Sequence, residues 1–269
     1  MAVQQISSRK NEYIKDAVHL ITSGDYRKEQ GLFLAEGARL CSDASQSGVK
    51  ILKTFFTRSA QEKYGNYLSA ILSSSQECYS IESHIAQVLS STKTSQGIFC
   101  VCKMPEQKDV SSSHMKISGK YIALENLQDP GNVGAVFRTA EAIGLNGVLL
   151  CGSCCDIYSP KVLRASMGAI FRIPVFQEET LPIAAEKLQE RGFCFYAAVP
   201  DNTAKNVLKC NFSQGSIMAI GNEGNGLSEE AIKACTQKIT IPMLGRAESL
   251  NAACSAAILM WEMVREELL

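Results

Sequence analysis

Six short runs after residue 120 are largely apolar: YIALE (121–125), GVLLC (147–151), IPVF (173–176), FCFYAAV (193–199), SIMAI (216–220) and KITI (238–241). A strand with one wet face alternates polar and apolar residues, whereas a strand apolar throughout is buried on both faces. Between the runs lie segments with recognisable helix starts. Ser159-Pro160 gives an N-cap followed by proline at the first helical position, and Ser228 precedes Glu229 and Glu230. Strands and helices alternating in this way predict a parallel sheet covered by helices. Ligands of such sheets bind beyond the carboxyl ends of the strands.

The chain has 269 residues, 46% of them apolar, enough for one large or two medium domains. Upstream, GLFLAE, KILKTFFT, CYSI and GIFCVC alternate with helical segments such as EYIKDAVHLIT, the pattern of a smaller α/β domain. The stretch MPEQKDVSSSHMKISGK is polar, serine-rich and without hydrophobic period. It reads as a linker. The expected division is an N-terminal domain over 1–103, a linker over 104–116 and a C-terminal domain over 117–269.

The chain lacks a run of about 18 apolar residues, and its polar start, MAVQQISSRK, does not read as a signal peptide. A cytoplasmic protein with no membrane partner is expected. Eleven cysteines include CGSCC (Cys151, Cys154, Cys155) and the pair Cys100 and Cys102, but neither cluster has a histidine near it or zinc-ligand spacing. No metal and no disulfide is expected, since the cytosol keeps thiols reduced. The 27 basic residues balance the 27 acidic ones, which argues against a general polyanion binder but leaves room for a local basic face. The first 65 residues lean basic, Arg27 and Lys28 among them.

Three blocks concentrate glycines and small polar residues at expected strand ends: NLQDPGNVGAVFRTAEAIG from Asn126, IGNEGNGLS from Ile220 and ITIPMLGRAESLNAACSAA from Ile239. In the first, Asp129 to Asn132 form a turn in which Asp129 or Asn132 can cap a helix. Val133, Val136, Phe137, Ala140 and Ile143 make that helix's buried stripe. Arg138 points away from the stripe and suits bidentate phosphate binding. The second block lacks the lysine-serine/threonine pair of a P-loop and does not follow the first strand, unlike a dinucleotide fingerprint. Its one charge is Glu223, which also fits as an acid at the start of the next helix, over 228–236. In the third, Ser249-Leu250-Asn251 opens an alanine-rich helix, with Ser249 a candidate N-cap. The segment YSPKVLRASMGAIFRIPV adds Lys161 and Arg164 on one helix face beside Ser166 and Gly168, and suggests a basic lip over the active site.

In this order the blocks resemble the SpoU–TrmH family of the SPOUT class, enzymes that methylate ribose 2′-hydroxyls in RNA. The match runs almost continuously over 121–266, and SRKNEYIKDAVHLITSGDYRKEQGLFLAEGARL is similar to the family's L30e-like RNA-binding extension. The resemblance implies an α/β fold: a SPOUT-type parallel sheet with a deep trefoil knot, plus a smaller N-terminal L30e-like α/β domain. It implies S-adenosylmethionine as cofactor, with Ala198, Gly221, Asn222, Gly224, Ile241, Met243, Leu250 and Asn251 around it. Arg138 matches the family's catalytic arginine, and Asn126, Glu223, Ser249 and Asn251 its supporting polar shell. RNA contacts are expected at Arg27, Lys28, Arg138, Lys161, Arg164 and Arg246, and a homodimer through the knotted domain.

The implied reaction is methylation of a ribose 2′-hydroxyl, in large-subunit (23S) ribosomal RNA rather than transfer RNA because a separate reader domain suits a local fold in a large RNA. Arginine, with a pKa above about 12, is an awkward base; the hydroxyl's proton passes to Arg138 or to water. A nicotinamide-dependent dehydrogenase would need a glycine motif after the first strand, which the residues after Glu125 do not supply. A non-catalytic RNA-binding protein on the same fold would keep the RNA face without binding the cofactor.

Overall fold

The structure is a computed structural model and describes residues 3–265 apart from positions 107, 112, 213 and 214. Positions 107 and 112 of the expected linker, and 266 at the end of the stretch that resembles the family, lie outside the described residues. The chain forms two compact units, one of residues 1–106 with 156–171, the other of 107–155 with 172–269. The segment 156–171 therefore groups with the N-terminal unit, although it interrupts the sequence of the second.

The N-terminal unit runs β1 (Val3–Ile6), α1 (Glu12–Thr22), α2 (Gly24–Gln30), β2 (Leu32–Glu36), α3 (Ala38–Gln46), β3 (Ile51–Phe56), α4 (Arg58–Ser74), β4 (Ser75–Ile81), α5 (Ser83–Leu89) and β5 (Ile98–Lys103). Its mixed sheet has the order β1-β4-β3-β5-β2, with β5 antiparallel to both neighbours. Helix α1 forms because Asn11 accepts a hydrogen bond from the Tyr13 N–H and because Ile14, Ala17 and Leu20 fall on one buried face. Cys100 and Cys102 are fully buried in β5 as free thiols, small hydrophobes in a strand buried on both faces.

The second unit begins inside the expected linker. Lys108–Asp109 form β6, an edge strand paired with β9 (Val175–Glu178), between which run β7 (Lys120–Glu125), α6 (Pro130–Ala142) and β8 (Gly147–Cys151). Val110 and Met115 are buried, and the Arg191 guanidinium donates to both their carbonyls. The polar composition of this stretch concealed two anchors that need no hydrophobic period. Helix α7 (Pro160–Ser166) belongs to the first unit; α8 (Leu181–Gln189), β10 (Cys194–Ala198), β11 (Lys205–Asn206), β12 (Ser216–Ile220), α9 (Glu229–Ala234), β13 (Gln237–Thr240) and α10 (Ala252–Val264) complete the second.

Its eight strands are in the order β11-β13-β10-β12-β7-β8-β9-β6, and every pairing is parallel. Strand β7 is buried along its whole length. Tyr121, Ile122 and Leu124 there contribute about 1.5–3 kcal/mol each by leaving water. The two charges of β7 are paired. Lys120 Nζ donates to the Met263 carbonyl near the end of α10, and the Glu125 carboxylate accepts from the backbone N–H and hydroxyl of Ser228, both at 2.8 Å. No helix among the described residues is long and apolar enough to cross a membrane.

Arg27, expected at an RNA-binding face, is instead 5% exposed. Its guanidinium pairs with Asp156 at 2.6 Å and donates to the carbonyls of Leu20 and Ile21. A guanidinium so enclosed ties the 156–171 segment into the unit and is not presented to a polyanion. Arg27→Ala leaves the mostly buried Asp156 carboxylate without its partner and should cost about 3 kcal/mol. Denaturant titration should show that loss, and Arg27→Ala combined with Asp156→Ala should recover part of it.

Candidate active site

Strands β13, β10 and β12 lie side by side, and their carboxyl ends release three loops, 199–204, 221–228 and 241–251. These loops and the first turns of α10 line a cleft of about 500 Å³. Strand order reverses beside this cleft: from β7 the chain goes to β8 and β9 on one side, then crosses to β10 on the other, with β12 entering between β10 and β7 and β13 pairing outside β10. Such a reversal opens a crevice beyond the strand ends.

The 221–228 loop is held by its own residues. Asn222 and Gly226 exchange backbone hydrogen bonds at 2.9 Å, and Asn222 Oδ1 accepts from the N–H groups of Gly224 and Asn225. A Cβ on Gly221 would lie 2.0 Å from the Gly226 carbonyl carbon and 2.1 Å from the Leu227 nitrogen. Only glycine allows the loop to fold back this tightly. Asn222 Nδ2 also donates to the Asn126 carbonyl at 2.9 Å, joining this loop to the end of β7.

Glu223 extends the join. Its carboxylate accepts from the Asp129 N–H at 2.9 Å, the Gln128 N–H at 3.2 Å and the Asn132 amide at 3.0 Å. It therefore sits at the start of α6, not at the 228–236 helix. Burial opposes its charge, but the hydrogen bonds from Asn132 and from the N–H groups of Asp129, Glu223 and Gln128 outweigh burial and hold the carboxyl below its ordinary value of 4.5. Asn132 Oδ1 in turn accepts from Asn251 Nδ2 at 3.0 Å. Asn126, at φ +53°, accepts on its Oδ1 from the Ser153 N–H at 2.8 Å. The structure thus brings Asn126, Glu223 and Asn251 into one hydrogen-bonded series.

Ser249 does not cap the last helix. Asn251 does, its Oδ1 accepting from the N–H groups of Ala253 and Cys254, so α10 starts later than its sequence suggested. Ser249 lines the cleft instead, as do Ala198, Gly221, Asn222, Gly224, Ile241, Met243 and Leu250; Asn251 does not. Arg138 is exposed on α6, outside the cleft lining, and has no hydrogen-bond or ion-pair partner among the described residues. Arg246, in the 241–251 loop, is likewise exposed and unpaired. Lys28 and Lys161 are exposed. Arg164 donates to the Ser91 hydroxyl within the N-terminal unit, and Ser166 is fully buried, so the expected basic lip is partly committed to packing there.

The cleft suits a nucleoside-bearing sulfonium compound. Ile220, Ile239, Leu250 and Leu259 give apolar walls, while Thr240, Ser255 and Asp201 supply hydroxyls and a carboxylate. Ser255 and Leu259 were overlooked in the sequence, although they follow Asn251 at helical spacing. Asn132, read there as turn or cap, bridges Glu223 and Asn251, a role no single segment displays. Among the described residues no group of three or more His, Cys, Asp or Glu could hold a metal ion.

The lowered carboxyl of Glu223 stabilises the fold fully above the unfolded value, about 4.5, and that contribution is lost as the pH falls through the lower folded value. Unfolding midpoints followed from about pH 6 to about pH 3 should fall more steeply for the wild type than for Glu223→Gln. Parallel curves would contradict the assignment.

Residues 119–261 match the model of the SpoU rRNA methylase family, and residues 11–100 that of the MRM3-like substrate binding domain. A relative from Synechocystis, described as an uncharacterized tRNA/rRNA methyltransferase, is 32% identical over 98% of this chain and 95% of its own. The 23S rRNA (guanosine(2553)-2′-O)-methyltransferase of Bacillus subtilis is 31% identical over 97% of this chain and 99% of its own. The solved AdoMet-bound rRNA methyltransferase from Sinorhizobium meliloti superposes with a TM-score of 0.86 at 26% identity, covering 98% of each chain. The parallel sheet with strand-end loops around a cleft is the SPOUT methyltransferase architecture, and the chain belongs to the SpoU rRNA methylase family.

Proposed function

We propose that the protein methylates a ribose 2′-hydroxyl in RNA, with large-subunit ribosomal RNA as substrate and S-adenosylmethionine as methyl donor. The observation that carries the reading is the cleft at the ends of β13, β10 and β12, in a chain that matches a 23S rRNA 2′-O-methyltransferase over nearly its whole length. Bound in that cleft, S-adenosylmethionine supplies an electrophilic methyl group on sulfur. The backbone around Gly221, Ile241 and Leu250 takes the adenosine, with Ala198, Asn222, Gly224 and Met243 alongside. The Asn126–Asn222–Glu223–Asn132–Asn251 series fixes the strand ends so that this geometry exists before substrate arrives.

Arg138 binds the phosphate next to the target ribose; an exposed, unpaired guanidinium is free for that bidentate contact. The methyl group passes from sulfur to the 2′-oxygen, leaving S-adenosylhomocysteine, and the hydroxyl's proton passes to water, since a charged guanidinium has no lone pair to accept it. Arg246 and Lys161 add charge along the RNA path. The N-terminal unit supplies choice of RNA and the second unit cofactor and chemistry, with the trefoil knot of the family threading the loops that form the cleft. The working compartment is the cytoplasm.

Methyl transfer from labelled S-adenosylmethionine to unmodified ribosomal or transfer RNA transcripts tests the reading. Label should appear on ribose 2′-oxygens of the ribosomal transcript. Arg138→Ala should lower transfer about 100-fold or more while leaving cofactor affinity, by calorimetry, nearly unchanged. Label on a base, or preferential labelling of transfer RNA, would overturn the corresponding part.

The active form is a homodimer. Cys254, Ile258 and Trp261 make an exposed stripe on α10 at helical spacing, with Trp261 49% exposed, an apolar face that a second copy would cover. Sedimentation at micromolar concentration should give twice the 29.3 kDa chain mass, and Trp261→Glu should shift it toward the monomer. A wild-type monomer would refute the dimer.

A further inference from the structure

A second cavity, of about 410 Å³, lies wholly within the N-terminal unit. Three pieces of chain wall it: the junction of β2 with α3, the 90–97 loop, and α7 with the turn that follows it. Pockets that enclose small ligands span about 300–1,000 Å³, so the space suits one nucleotide and not a duplex.

The 90–97 loop, SSTKTSQG, has no large apolar side chain to pack it in place. Glu36 holds it instead, its carboxylate accepting from the Ser90 and Ser91 hydroxyls and from the Ser91 N–H at 2.9 Å. Gln96 Oε1 accepts from the Ala38 N–H at 2.8 Å and closes the first turn of α3, where Gly37 has no side chain to do so. Arg164 donates to the same Ser91 hydroxyl that Glu36 holds. One of the cavity's two acids, Glu36, is thus engaged with the loop, and the other, Asp43, lies against Gly168.

Other groups are left for a ligand. Arg39 lines the cavity, is exposed, and has no ion-pair or hydrogen-bond partner among the described residues. Thr94 and Gln96 line it too, and neither the Thr94 hydroxyl nor the Gln96 amide nitrogen is engaged by the loop's own bonds.

Met167 caps the C-terminal end of α7, its N–H donating to the Arg164 carbonyl, and lines the cavity. At φ +50° it is one of two non-glycine residues with positive φ among those described, and the other is Asn126 in the active-site series. A left-handed non-glycine residue costs about 1–3 kcal/mol and clusters at functional sites. Glycine would sit there without strain, as Gly168 does next to it at φ +79°. The chain nevertheless keeps methionine, 38% exposed, on the cavity wall. A flexible thioether packs well on a planar ring.

We propose that this cavity holds one unpaired nucleotide of the RNA substrate. Its base lies against Met167 and the anchored Arg164 guanidinium, Thr94 and Gln96 read its edge, and Arg39 binds its phosphate. Single-stranded RNA is recognised in this way, by splayed bases stacked on side chains and hydrogen-bonded at their edges. The assignment rests on RNA being the substrate and adds where the N-terminal unit grips it.

The test uses the full-length protein and an unmodified large-subunit ribosomal RNA transcript. Arg39→Ala should raise the KM for RNA about tenfold and flatten the salt dependence of filter-measured affinity by about one ion. Met167→Gly, which keeps the left-handed backbone, should raise KM about tenfold without changing the salt slope, because it removes base packing and no charge. Both should keep wild-type kcat at saturating RNA and wild-type cofactor affinity, and Arg39→Ala should keep the wild-type melting temperature. In the unaltered protein, a transcript carrying 4-thiouridine should crosslink within 90–97 or 163–167. Wild-type KM and salt slope in both variants, or crosslinks in this unit confined to other peptides, would overturn the proposal. If the wild type transfers no methyl to any RNA, the enzymatic reading fails, while filter binding and crosslinking still decide the cavity.

Discussion

The carboxylate of Glu223 fixes the relation between two adjacent strand ends. It reaches from the loop after β12 to the backbone N–H groups that open α6, the helix after β7. Those N–H groups have no partner within the helix, and a negative charge there also complements the helix dipole. Through Asn132 the same carboxylate is coupled to Asn251, which caps α10. Three loops that would otherwise wander independently are held to one arrangement, and the cleft beside them inherits it.

That arrangement needs backbones that approach more closely than side chains permit. Gly221 lies against the turn at Gly226 with no space for a Cβ, and Gly152 lies against the Asn126 amide, with its Cβ position 2.4 Å from Oδ1. Gly224 meets nothing closer than 3.5 Å and is not demanded by packing. Of the two glycines assigned to the cofactor, one is therefore required by the loop's own fold and the other is not.

The N-terminal unit relies on a different device. Its 156–171 segment arrives from the middle of the other unit's sequence and is secured by the Arg27–Asp156 ion pair, by Phe33 stacked on Tyr158 and Phe171, and by Arg164 on Ser91. In the other unit, Ser153 and Cys155 donate to Asn126 and Leu127 just after β7.

Local patterns in the sequence determined the strands, because a parallel sheet buried on both faces needs apolar runs, and YIALE, GVLLC and SIMAI could hardly do anything else. They also determined the caps at Asn11, Ser159 and Ser228, whose partners lie within a few residues. The strand-end glycine blocks marked the cleft for the same reason. What a side chain does when its partner is distant was decided only by tertiary structure. Arg27 reads as a surface cation until Asp156, 129 positions away, encloses it. Glu223 reads as an acid for the helix that follows it, yet it serves one 94 residues earlier. Polar stretches such as 104–116 carry no period to announce Val110 and Met115 as core. Hydrogen bonds and ion pairs are chosen by proximity in space, and proximity exists only once the sheet has set which strand ends are neighbours.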